Sequence, residues 1–144
     1  MIMIQVKIFF SFLLNEHSFD IIKEEVEGED YSIEYSSSLF VIKLEKYYKE
    51  IYVTLYKPDD SINEANLFNL LQFLKRNETD IPTSQYFKKE TSIELCLHKQ
   101  LDYLSKVLSE NFSLISEFFN ESKYNENMAE LIKFWQQKHP EFYH

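Results

Sequence analysis

Four short segments rich in β-branched and aromatic residues follow one another with only a few residues between them, and this spacing constrains the fold more than any other feature. The segments are Phe19–Val26, Tyr31–Tyr35, Leu39–Glu45 and Ile51–Tyr56. In the last two, apolar residues occupy alternate positions, which is typical of a strand with one buried face. A parallel connection needs a dozen or more residues, so neighbouring strands must run antiparallel. The sequence therefore predicts a four-stranded antiparallel meander.

The second half of the chain carries apolar residues at helical spacing. Ser61-x-x-Glu64 and Thr91-x-x-Glu94 match the capping box that opens helices, and each predicts a helix start. The apolar stripe after Thr91 predicts the longest helix, and shorter helices are expected between it and Pro140. These three to four C-terminal helices are expected to pack on one face of the sheet, because their stripes need an apolar surface to cover.

The first fifteen residues are apolar on nearly every side, which fits both a helix and a strand. The four-residue spacing of Ile4, Ile8 and Phe12, and of Phe9 and Leu13, gives one wide stripe that favours a buried helix, whereas the β-branched and aromatic content favours a strand. We expect an N-terminal helix. The resulting hypothesis is a single α+β domain over residues 1–144, with the helix and the antiparallel sheet in 1–60 and a helical part in 61–144.

Several classes of chemistry lack the residues they need. Gly28 is the single glycine, so neither a phosphate-binding loop nor a dinucleotide fingerprint is present. No two histidines stand at the spacing of a metal-binding helix; the four histidines are His17, His98, His139 and His144. Since no candidate nucleophile and base stand out, we expect a non-enzymatic protein without a metal or another cofactor.

Cysteine content and hydropathy bear on the compartment. Cys96 is the one cysteine, and it cannot form an intrachain disulfide. The apolar run between Ile8 and Leu14 is too short to span a bilayer and has no small-residue cleavage site after it. The expectation is therefore a cytoplasmic protein that does not bind a membrane.

Negative charge is concentrated near the amino terminus. The formal net charge is −9, and eight of the 24 acidic residues lie between Asn15 and Ser36, where Lys23 is the one basic residue. The candidate acidic patch consists of Glu24, Glu25, Glu27, Glu29, Asp30 and Glu34. Such a surface repels phosphates, so nucleic acid is an unsuitable partner, while a basic protein would be attracted. The simpler interpretation is a solvated face that keeps the protein soluble.

The sheet offers a second candidate binding surface. If one face of the meander packs on helices, the other meets solvent and displays Tyr52 and Tyr56 beside Lys43 and Glu45. Aromatic and charged groups together are typical of recognition surfaces, and equally ordinary on an exposed sheet. Tyr52 and Tyr56 are therefore the second set of candidate partner-binding residues.

The layout also resembles a known group of proteins. The stretches FFSFLLNEHSFDIIKEE, LFVIKLEKYYKEIYVTLYKPDD and LHKQLDYLSKVLSENFSLISEFF carry the similarity. In pattern they are similar to immunity-protein-like families of bacterial polymorphic-toxin and contact-dependent inhibition systems. This resemblance implies a cytoplasmic protein that binds a cognate toxin, often a basic nuclease, and blocks it without catalysis. The acidic patch would be the contact surface.

Two alternatives stay open. A small acidic secretion-type chaperone or adaptor would act as a homodimer that holds an extended peptide on a sheet or helix face. An enzyme would need a site assembled from distant carboxylates and tyrosines, and a buried pocket that contains them would favour it.

Overall fold

The structure, a computed structural model, describes residues 2–142. Two short helices come first, followed by five strands, four helices and a final 3₁₀ turn. The elements are α1 (Ile2–Phe9), α2 (Ser11–His17), β1 (Asp20–Glu27), β2 (Asp30–Ser36), β3 (Val41–Tyr47), β4 (Glu50–Lys57), β5 (Asp60–Asn66), α3 (Leu67–Leu74), α4 (Ile93–Glu110), α5 (Phe112–Phe118), α6 (Tyr124–Lys138) and the turn Pro140–Phe142. His144, one of the histidines considered above, lies outside the described residues.

The strands form one antiparallel sheet in the order β1-β2-β3-β4-β5. The α+β class and the antiparallel meander are therefore confirmed, with each of the four predicted strands shifted by a residue or two. The prediction of only four strands is wrong, because β5 extends the sheet along β4, with Ala65 opposite Leu55.

The fifth strand replaces the start of a predicted helix. Ser61-x-x-Glu64 does not cap a helix; Asn66 does, and its side-chain oxygen accepts hydrogen bonds from the N–H groups of Phe68 and Asn69. The apolar stripe explains the shift, since Ala65 is the one buried residue of β5 while most residues of α3 from Leu67 onward are buried, so a helix over residues 61–66 would have little to bury. The sheet part consequently ends at residue 66 rather than at residue 60.

The core lies on one face of this sheet. On β2 and β4, alternate residues are buried, and α3 and α4 both contact β4. The helices contribute their stripes to the same cluster; for example, Leu101 and Leu108 of α4 are fully buried. We call this buried side the helix-side face and the other side the open face. The prediction that the helical stripes bury an apolar face of the sheet agrees with this arrangement.

The amino-terminal segment is helical, as expected, but it forms two helices with a different buried side. Val6, Phe10 and Leu13 are buried, whereas Ile4 and Ile8 are 58% and 66% exposed. Phe10 separates α1 from α2, so a single four-residue stripe does not run through both helices. Of the expected wide stripe, Leu13 is buried and Phe9 and Phe12 pack partly buried against the core, whereas the placement of Ile4 and Ile8 in it is wrong.

The longest helix begins one residue later than its capping box predicts. The Oγ of Ser92 accepts a hydrogen bond from the N–H of Leu95, so Ser92 rather than Thr91 is the N-cap. Boundaries of this kind commonly shift by a residue. Within residues 2–142, no helix combines the length and the apolar character that crossing a membrane requires.

One buried amide ties α4 to the sheet. Gln100 is fully buried, and its Oε1 accepts a hydrogen bond of 2.9 Å from the N–H of Ile51. Its Nε2 donates to the carbonyl oxygen of Lys49 at 2.5 Å and lies 3.4 Å from the Sγ of Cys96. Gln100 thus gives the start of β4 the partners that a neighbouring strand would otherwise supply.

Replacing this amide should destabilise the protein. In Gln100→Leu, the N–H of Ile51 and the carbonyl of Lys49 lose their partners, so we expect the free energy of unfolding to fall by about 2 kcal/mol. Urea denaturation followed by circular dichroism measures this loss. Gln137→Leu, on the exposed side of α6, is the control and should stay within about 0.5 kcal/mol of the wild type. Equal stability of the two variants would show that the Gln100 bonds contribute little.

Candidate functional site

The open face is lined by side chains that stand between the buried positions of the sheet. The register places Glu34 opposite Lys43, and Lys43 opposite Thr54. One step further along the strands, Ser32 stands opposite Glu45, and Glu45 opposite Tyr52. Opposite residues on antiparallel strands point to the same side, so these rows run across one polar surface.

Lys43 is at the centre of this surface and gathers carboxylates around it. Its Nζ lies 2.9 Å from Oε1 of Glu64 and 3.6 Å from Oε1 of Glu45. Burial lowers the pKa of Lys43, but the hydrogen bond to Glu64 and the nearby carboxylates outweigh burial and raise it. The middle of the open face is therefore a network in which one lysine offsets part of the charge of the surrounding carboxylates.

A second pairing lies beside it. The hydroxyl of Tyr56 donates a hydrogen bond to Glu34, and the Nζ of Lys23 lies 4.0 Å from the other oxygen of Glu34 and 3.5 Å from Glu25. Burial, followed by the bond to Glu34, raises the pKa of Tyr56 to about 12. Glu34 is thus held by a lysine and a tyrosine, and little of its charge remains for an outside partner.

The end of the open face near the β1–β2 turn is different. A depression of about 140 Å³ is lined by the carboxylates of Glu25, Glu27, Asp30 and Glu45 and by Tyr47. Among residues 2–142, no basic nitrogen lies within 4.0 Å of the carboxylates of Glu27 or Asp30. We call the five lining residues just named the acidic end. Within the acidic end, Glu25 is paired with Lys23 and Glu45 with Lys43, so the charge without a lysine partner is that of Glu27 and Asp30.

Tyrosines border the acidic end. The rings of Tyr47 and Tyr52 lie 6.0 Å apart, and Tyr86, from the loop before α4, lies 5.9 Å from Tyr52. The hydroxyl of Tyr47 donates to Glu45 and that of Tyr52 to Glu50. The bond to Glu50, together with burial, raises the pKa of Tyr52 to about 12. Tyrosines are among the side chains that most often anchor protein partners.

The predicted acidic patch is divided by the fold. Four of its six residues lie on the open face, namely Glu25, Glu27, Asp30 and Glu34. Glu24 stands opposite Ile33 on the helix-side face, where the hydroxyl of Tyr31 donates to it at 2.6 Å and the Nζ of Lys7 at 3.1 Å. These two bonds hold the pKa of Glu24 below its ordinary value.

Glu29 occupies the β1–β2 turn, where its carbonyl oxygen accepts a hydrogen bond from the buried Lys46. The six carboxylates therefore do not form one continuous surface. The second predicted set is on the open face, since Tyr52 and Tyr56 both point there. Only Tyr52 borders the acidic end, and Tyr56 belongs to the Glu34 pairing.

Sequence reasoning missed three neighbours of the acidic end. Tyr47 and Glu50 stand opposite each other at the β3–β4 turn, and continuing the strand alternation by one more step on each side would have found them. Tyr86 comes from a loop without periodicity, and no local signal points to its contact with Tyr52.

Concave regions elsewhere also contain ionisable side chains. A groove of about 650 Å³ between β5 and α6 is lined mainly by apolar and amide side chains, with Glu64 and His139 as its ionisable groups. Another, of about 590 Å³, is lined by Glu29, Asp30 and Glu94 beside Tyr31 and Tyr48. Among the described residues, no group of three or more histidine, cysteine, aspartate or glutamate side chains is arranged to hold a metal ion. Cys96 is buried, and its Sγ lies 3.1 Å from the carbonyl oxygen of Tyr86.

Comparisons with protein-family models, with curated proteins and with solved structures give no match for this chain. The functional argument consequently depends on the geometry of the acidic end and its surroundings.

Burial of Tyr56 and its bond to Glu34 make the free energy of unfolding depend on pH in the alkaline range. Because the folded-state pKa of Tyr56 is about 12 and the ordinary value is 10, its contribution is complete below pH 10 and is lost as the pH rises towards 12. We expect the wild type to lose stability over this range faster than Tyr56→Phe. Urea denaturation at a series of alkaline pH values, with phenolate absorbance followed in parallel, measures both effects.

Glu34→Gln is the matched variant for this prediction. It keeps the tyrosine and removes the charge of the acceptor, so the pKa of Tyr56 should fall only part of the way, since burial is its larger cause. Ionisation of Tyr56 near pH 10 in the wild type would contradict both the burial and the bond.

Proposed function

We propose that this protein is a non-enzymatic binding protein that neutralises a basic, nuclease-type bacterial toxin by direct contact with the acidic end. The observation that carries the proposal is the uncompensated charge of Glu27 and Asp30 in a depression bordered by Tyr47. Elsewhere on the open face, Glu34 lies 4.0 Å from the Nζ of Lys23 and Glu64 lies 2.9 Å from that of Lys43.

A solubility role would not need this arrangement. Charge that only keeps a protein in solution works equally well when scattered over the surface. At the acidic end, four carboxylates converge on one depression, and Tyr47 and Tyr52 stand beside them. Charges of one sign around a concave site attract an oppositely charged partner, and the tyrosines supply contact area once it arrives.

The class of partner follows from charge complementarity. A nuclease holds the phosphates of its substrate with lysines and arginines, so the region around its active site is positive. A rigid acidic surface can occupy that region and exclude the substrate. This role requires complementary shape and charge and no chemistry on the part of the inhibitor, which agrees with the resemblance to immunity proteins.

The proposal predicts that neutralising the acidic end slows binding. With the wild-type protein as bait, the basic partner is first isolated from the native host, and its association rate is then measured in a salt series. The variant Glu25→Gln/Glu27→Gln/Asp30→Asn should associate about tenfold more slowly at low salt, and the difference should shrink as salt screens the charges. Co-expression should also protect cells that produce the partner, and the variant should protect them less.

The control removes the same charge elsewhere. Glu117→Gln/Glu121→Gln/Glu130→Gln changes three exposed carboxylates of the α5–α6 region, so the net charge changes equally. It should bind and protect as the wild type does. If the two variants associate at the same rate, or if the partner is not toxic, the inhibitor function is contradicted.

A further inference from the structure

Strand β1 is an uncovered edge of the sheet. All eight of its residues are exposed, on the helix-side face as well as on the open face, and β2 is its one neighbour in the sheet. Along such an edge, every second residue directs its backbone N–H and C=O away from the sheet. These unpaired groups are able to accept another strand.

Part of this edge is regular enough to pair with another strand. β1 contains no proline, and its one irregularity lies between Ile21 and Lys23. From Lys23 to Glu27 the pairing with β2 is regular, which leaves a five-residue template. Charged side chains protect edges against non-specific pairing, and four of these five residues are charged, with Glu24 on the helix-side face bonded to Lys7 and Tyr31. The template therefore selects against uncharged and acidic strands.

The side chains of this template differ between its two faces. Glu25 and Glu27 point to the open face and line the acidic end. Val26, on the helix-side face, is 58% exposed although it stands opposite the buried Tyr31. An added strand would therefore meet two carboxylates on one side and, between them, an exposed apolar side chain on the other.

A second copy of the chain is a poor occupant. Antiparallel pairing of two β1 strands about residue 26 places Glu25 opposite Glu27 twice, which destabilises that register, whereas pairing about residue 24 or 25 puts one Glu–Glu pair beside two pairs of Lys23 with a glutamate. In every register the two copies each carry a net charge of −9, which opposes their association. A segment with basic residues has the opposite effect at the same positions.

We propose that β1 captures an extended segment of the basic partner as a sixth strand of the sheet. In this segment, Lys or Arg residues stand opposite Glu25 and Glu27, and the residue between them is apolar and contacts Val26. The inference rests on the proposed function, because it names the element that holds the basic partner. Backbone hydrogen bonds supply the affinity, and the basic–apolar–basic order supplies the specificity.

A synthetic peptide tests this directly. The probe is an eight-residue peptide of lysines and valines in alternation, with glutamate at the one position that stands opposite Lys23 when lysines stand opposite Glu25 and Glu27; it is added to the full chain. The control peptide has the same sequence with alternate backbone nitrogens methylated, which keeps the charge and removes the donors. We expect the probe to slow amide hydrogen exchange at alternate residues of β1. The methylated peptide should bind about tenfold more weakly, as expected for two lost hydrogen bonds.

Protein variants test the register. Glu25→Gln and Glu27→Gln should each weaken binding of the probe about threefold, because each removes one cross-strand charge pair. The controls are Glu117→Gln, in α5, and Glu121→Gln, shortly after it, both far from β1 in the sequence. They should leave the affinity unchanged.

Four results would overturn the inference. The first two are equal affinity for the two peptides and no binding of the probe. The third is slowed amide exchange at β5 or elsewhere instead of at β1. The fourth is a dimer, seen by light scattering, whose β1 amides exchange slowly before any peptide is added. None of these affects the toxin-protection experiment, so the proposed function is judged separately. In the converse outcome, the probe adds to β1 while the protein fails to protect cells from the partner. That result would support the binding site at the edge and contradict the toxin-inhibitor role.

Discussion

Burial of one face of the antiparallel sheet under the helices is the constraint on which the rest of this protein depends. Ile33, Leu44 and Val53 stand side by side across β2, β3 and β4 and are almost fully buried. Because side chains alternate along a strand, burying this row also determines which residues face the other way. A register shift of one residue would bury Glu34, Lys43 and Thr54 instead, at a large cost in desolvation.

The open face that results is not uniform. At its centre and on one side, Lys43 and Lys23 each contact two carboxylates and offset part of their charge. Near the β1–β2 turn, Glu27 and Asp30 have no lysine within 4.0 Å among the described residues. The positions of the lysines on the open face therefore say more about binding than the net charge of the chain does. Two surfaces next to each other, the acidic end and the edge of β1, share Glu25 and Glu27 and are suited to the same kind of partner.

Several elements were predictable because their signals are local. The alternation in β3 and β4 and the stripe of α4 depend on residues within one element, and the structure has these elements where the sequence indicates them. The capping box at Ser61 failed because the same residues also fit an edge strand, and the competition was decided by the stripe that starts at Leu67. The apolar stripe of α1 failed for a related reason, since an almost entirely apolar segment has more than one side to bury.

The sequence by itself determined the class of the fold, the antiparallel order of β1 to β4 and the amino-terminal concentration of acidic residues. These follow from periodicity, connection length and composition, which do not depend on distant contacts. Only the tertiary structure decided that Glu24 and Glu29 leave the patch, that Tyr86 joins Tyr52, and that β1 remains an uncovered edge. Each of these depends on which face a residue occupies or on a contact between elements far apart in the chain, and a linear pattern carries no information about either.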